Sequence, residues 1–108
     1  AKNLKINEYY ITAFLSQQAA EKSLKALYIH KKRASPGSTH SLIFLANELN
    51  VPEEFMSGLR KLNPDFIITR YPDAAQGLPY ELYDREIAEE RLEIAGRVME
   101  WVRKELEI

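Results

Sequence analysis

Between Glu8 and Lys32 the apolar positions fall on two faces when placed at roughly 100° per residue. Leu15, Ala19 and Ala26 share one face, and Tyr9, Ala13, Ala20, Leu24 and Leu27 share the other. The stretch contains no Gly or Pro and is rich in Ala, Leu, Glu, Gln and Lys, which lose little side-chain freedom in a helix. The spacing predicts one long helix, and apolar character on two sides predicts a central element packed between neighbours. A polar stripe interrupts it. Gln17, Glu21 and Lys25 form an i, i+4 row, with Gln18 and Lys22 beside them.

Pro36 and Gly37 break the chain into a loop over 34–38, and Ser38 or Thr39 is placed to cap a second helix from His40 to Leu49. Leu42, Leu45, Ala46 and Leu49 give that helix its periodic face, and Asn50, Val51 and Pro52 end it. A third helix starts near Glu53 and turns Phe55, Met56, Leu59 and Leu62 inward until Asn63 and Pro64 stop or bend it. Phe66 to Ile68 fits a resumed helical turn or a short extended stretch, of which the helical turn is the expectation. Pro72, Gly77, Pro79 and three tyrosines between Tyr71 and Tyr83 read as an irregular loop with an aromatic surface. Asp84 then caps a last helix reaching about Leu106, whose Ala88, Leu92, Ala95, Met99, Val102 and Leu106 alternate spacings of four and three. That alternation predicts near-antiparallel packing in a bundle. Ala1 to Ile6 is helical in character but too short to stand alone, so a longer first helix is expected, with residues missing between Ile6 and Asn7. The whole reads as an all-α, antiparallel up-and-down bundle of four to five helices, one domain over residues 1–108.

Composition narrows the chemistry. The chain has no cysteine, which excludes disulfides, zinc-thiolate sites and thiol nucleophiles. The net charge of -1 gives no global attraction to nucleic acid or anionic lipid. The longest apolar run, Leu42 to Ala46, is far short of the roughly 20 residues that cross a bilayer, and no basic-then-apolar segment opens the chain, so it reads as cytoplasmic. Two histidines without cysteine make a poor metal site, and no cofactor motif is present.

Three segments carry a family resemblance. The string from Phe14 to Leu27, FLSQQAAEKSLKAL, resembles the second-helix signature of HEPN domains. Thr39-His40-Ser41-Leu42 is similar to the family's following helix start, and Thr69-Arg70-Tyr71-Pro72-Asp73 to its Arg-Tyr-Pro-Asp segment. In this order they cover the chain from Tyr9 to Val102. The resemblance implies an up-and-down helical bundle that commonly dimerises, and a nucleotide or RNA ligand, as the name "higher eukaryotes and prokaryotes nucleotide-binding" records. It also implies a minimal nucleotidyltransferase as partner in a two-component, toxin-antitoxin type system, and a relation to the domain that ends sacsin.

On this reading Gln18, Glu21, Lys22, Lys25, Arg70, Tyr71 and Asp73 are the candidate contacts for a nucleotide or a partner. An Arg with a Tyr beside it can grip phosphate bidentately and stack a base. The bland reading pairs Arg70 with Asp73 or Glu21, leaves the charges of the stripe as a solvated row, and has the tyrosines seal an edge. Many HEPN proteins are metal-independent ribonucleases that use an Arg, four to six residues, then a His. Arg33 and His40 match that spacing formally, but Ala34 stands where the family has Asn, and the pair precedes an early helix. His40 is otherwise a structural residue that hydrogen-bonds a neighbouring group, and His30 a polar group at a helix C-terminus. A third reading is a helical adaptor that offers apolar faces around Tyr28 and Trp101 to other helices.

Overall fold

The structure, a computed structural model, describes residues 2–63 and 84–107, with side chains from Glu8 onward. Four helices are present among these residues: α1 (Lys2–Lys32), α2 (Leu42–Glu48), α3 (Glu53–Leu62) and α4 (Arg85–Leu106). The bundle is all-helical, as the periodicity requires. The Phe66 to Ile68 turn and the aromatic loop over 71–83 lie outside the described residues, and with them Arg70, Tyr71 and Asp73.

α1 runs without interruption through Ile6 and Asn7. The opening residues, too short to stand alone, are thus the first turns of the long helix. Asn is a mediocre helix former but not a breaker, and with no Gly or Pro nearby the first turns propagate into the rest. The helix stops at Arg33, whose backbone adopts the left-handed conformation (φ 56°) while its N–H still donates to the Ile29 carbonyl at 3.0 Å.

The loop that follows is tied down by side chains. Thr39 Oγ1 accepts the Ser41 N–H, and Ser41 Oγ caps α2 by accepting the Phe44 N–H, both at 3.1 Å. The cap is therefore Ser41 rather than Ser38 or Thr39, and α2 starts at Leu42, two residues later than its periodicity suggests. Asn63 Oδ1 accepts the Leu42 N–H at 2.7 Å, which ties the start of α2 to the end of α3. α2 ends in a Schellman turn: Val51 N–H reaches the Ala46 carbonyl, Asn50 N–H reaches Asn47, and Asn50 takes the left-handed φ of 55° that Asn tolerates better than most residues. At the other end Asp84 caps α4 as expected, Oδ1 accepting the Ile87 N–H at 2.8 Å.

Leu24, Leu27, Leu42, Leu45, Leu59, Leu62 and Val98 form the heart of one apolar cluster. α3 approaches α4 closely at Gly58, where a Cβ would meet Ile94 Cγ2 at 2.8 Å. These two helices are antiparallel, with Lys61 on Glu90 at one end and the Phe55 and Trp101 rings 6.2 Å apart at the other. Against α1, however, α4 runs parallel. Thr12 and Leu15 lie beside Leu92, and Lys31 Nζ meets Glu105 at 2.6 Å near the far end.

Two burial expectations are corrected. On α4 the core stripe is Ala88, Ala95, Val98 and Val102, whereas Leu92, Met99 and Leu106 are exposed. On α1 the face with Ala13, Ala20, Leu24 and Leu27 is buried, but Leu15 is 56% exposed and Ile11 and Ile29 are about as open. The physical reason is length. α2 and α3, with 7 and 10 residues, are too short to surround a 31-residue helix, and among the described residues Ile11, Leu15 and Ile29 stay exposed on its other side. Tyr28 and Trp101, expected as exposed anchors, instead pack partly buried against the core.

Candidate functional site

Glu21 is the centre of the site. The residue lies on the buried side of α1, 2% exposed, in a row with Gln17 at 0%. Burying an ionised carboxylate costs several kcal/mol unless partners replace its water. Three side chains do so. Gln17 Nε2 donates to Oε1 at 3.1 Å, one turn earlier on the same helix. Lys25 Nζ lies 3.0 Å from Oε2, one turn later. His40 Nδ1 lies 3.3 Å from Oε1 and 3.2 Å from Oε2.

The first two follow from i, i+4 spacing. The third depends on tertiary structure, because it needs the loop after α1 to double back. Thr39 and Ser41 hold that loop with the hydrogen bonds described above, and His40 stands between them.

The surroundings favour the anionic form. Burial pushes the Glu21 carboxyl upward, but hydrogen bonds from Lys25, Gln17 and His40, with the Lys25 charge, outweigh it and hold the group below its ordinary value. An ionised carboxylate only accepts, so His40 Nδ1–H is the donor, and Nε2 is left outside this bond. The imidazole side chain is about half exposed (46%).

The sign of the linkage is fixed. A carboxylate with a depressed folded-state pKa adds stability above the unfolded value, about 4.3, and loses it as pH falls through the folded one. Urea unfolding between pH 7 and pH 3 is expected to show wild type losing more stability than Glu21→Gln. Parallel curves would refute this.

Among the other candidates, Gln18 joins the cluster by donating from Nε2 to Gln17 Oε1 at 2.7 Å. Lys22 does not. It is exposed on the side of α1 that carries Leu15 and Ala26, and makes no ion pair. Gln17 was legible as part of the stripe but is absent from the expected contacts, because only the fold reveals that it serves Glu21. Arg33 is exposed, and no hydrogen bond or ion pair joins it to His40. His30 is exposed in the last turn of α1. Among the described residues no group of three or more His, Asp or Glu side chains could hold a metal ion, and no helix is long and apolar enough to cross a membrane.

Comparison with known proteins gives one match. A family model described as HEPN domain covers residues 1–106. No curated protein and no solved structure matches the chain.

Proposed function

Since the chain belongs to the HEPN domain family, we propose that it is a non-catalytic module binding the phosphates of a nucleotide or an RNA through His40 and Lys25. The observation that carries this reading is the buried Glu21 carboxylate. It holds two potentially cationic side chains from separate elements on one anchor, so neither must be ordered when a ligand arrives. The imidazole is held on the Glu21 carboxylate through Nδ1 with its side chain half exposed, which puts a nitrogen-bearing ring and the Lys25 ammonium together at the surface where a phosphate could meet them. In this reading Gln18 borders the site, the Arg70-Tyr71-Pro72-Asp73 segment contributes the second phosphate grip and a base-stacking ring, and any chemistry belongs to a minimal nucleotidyltransferase partner.

The test is direct. Purified protein is titrated with ATP and, separately, with end-labelled single-stranded RNA, using wild type and His40→Ala. Saturable binding of at least one ligand is expected, weakened about tenfold by His40→Ala if one charge-assisted hydrogen bond is lost. The RNA is expected to stay intact. Cleavage that disappears in both Arg33→Ala and His40→Ala would replace this reading with a ribonuclease, and no affinity for either ligand would end it.

A further inference from the structure

A hollow of about 340 Å³ opens between α1 and α4, lined by Leu15, Ser16, Ala19, Leu92, Gly96 and Met99. Its volume falls in the range of about 300–1,000 Å³ that takes small ligands, and its lining is almost wholly apolar. Two features set it apart from an ordinary helix seam. Ser16 is 3% exposed, and its Oγ has no hydrogen-bond partner. A buried hydroxyl left unpaired is destabilising and uncommon in native structures. Gly96, in the middle of α4, has nothing within 4 Å of where a Cβ would stand. Glycine is a poor helix former, and with no close neighbour to require it, what its missing side chain leaves is room.

The positions round Ala19 say what fills that room. Ser16 is three residues before Ala19 and Lys22 three after, so each stands roughly 60° to one side of it and about 4.5 Å along the axis, in opposite directions. Lys22 is exposed and, among the described residues, makes no ion pair or side-chain hydrogen bond. Its ammonium, on a flexible four-carbon stem, can swing over the Ala19 methyl toward Ser16. A carboxylate seated above Ala19 accepts from both groups. A second hollow, of about 510 Å³, shares Gly96 and Met99 with the first and continues along the seam to Leu106. Glu100 and Arg103 at its edge are paired with each other. From Gly96 to Leu106 is roughly 15 Å along α4, an elongated apolar track that suits an aliphatic chain better than a ring.

We propose that this groove binds the free anion of a medium-chain fatty acid, with its carboxylate held over Ala19 by Ser16 and Lys22 and its chain laid past Gly96 and Met99 toward Leu106. The site is separate from the Glu21 cluster, since Glu21 is two residues beyond Ala19, roughly 200° round α1.

Isothermal titration of the full chain with sodium decanoate at pH 7 tests it. Saturable binding of one anion per chain is expected. Octanoate should bind about tenfold more weakly, because two buried methylenes are lost. Lys22→Gln should weaken decanoate about tenfold by removing one charge-assisted contact. Ser16→Ala should also weaken it, yet melt no lower than wild type, because the hydroxyl it removes has no partner in the fold. Gly96→Leu should fill the hollow and abolish binding while helical circular dichroism is kept. No saturation by decanoate, equal affinity for octanoate and decanoate, or a variant at Lys22 or Gly96 that binds like wild type would each overturn the proposal. Lys22 is exposed, so its variant keeps the test decisive even if Gly96→Leu fails to fold.

Discussion

Replacing Leu24 with alanine is expected to lower the free energy of unfolding by about 2–5 kcal/mol. Leu24 is fully buried where α1 meets the apolar cluster shared with α2, α3 and α4. Truncation removes its transfer free energy and leaves a cavity that three surrounding helices cannot close without moving. At about 4–8 °C per kcal/mol for a domain of this size, the midpoint should fall on the order of 10–30 °C. Thermal unfolding followed by circular dichroism measures this directly. Phe44→Ala is the control: the ring is 43% exposed on α2, and its removal is expected to cost less than about 1 kcal/mol. Similar losses for both would mean that the core is not where the structure puts it.

The second large effect is at Glu21. Glu21→Ala strips the shared anion from Lys25 and His40, removes the acceptor of the Gln17 amide and leaves a void. Breaking a fully buried pair costs about 3–5 kcal/mol, but the Lys25 and His40 side chains are 20% and 46% exposed and can turn to water. The expected loss is therefore about 2–3 kcal/mol. Glu21→Gln keeps the volume and an acceptor for Gln17, so it should cost about half as much. Denaturant unfolding at pH 7 gives the order wild type, Gln, Ala. A Gln variant as stable as wild type would show that the charge contributes nothing to the fold.

Much of this architecture could be read from local chemistry. Asp84 capped α4, Glu53 opened α3, and Pro36 with Gly37 marked the loop that follows α1, because capping and breaking are decided within a few residues. Burial was less legible. Leu15 and Leu24 are equally apolar, and nothing near either says which one α2 and α3 will cover. The same difficulty affected α4, where Leu92 and Met99 fit the periodic stripe as well as Ala95 but face outward while Val98 takes the core position.

The site was half visible. Glu21 and Lys25 stood out through i, i+4 spacing, whereas His40 at a helix start read as a structural residue or as half of a pair with Arg33. Their union could not be seen, because Glu21 and His40 are 19 residues apart and meet only after Thr39 and Ser41 have turned the chain. Lys22, one residue from Glu21, fell on a different face for the same geometric reason that made the row legible: neighbours in sequence are about 100° apart around a helix.

The most direct test of a Glu21-anchored phosphate site is the nuclear magnetic resonance spectrum of the His40 imidazole during titration with ATP and with a short RNA. Ligand binding at this site should shift the His40 ring resonances and the Gln18 side-chain amide in step with saturation, and Glu21→Gln should weaken the response. Saturable binding that leaves the His40 ring unmoved would contradict it and place the ligand elsewhere on the bundle.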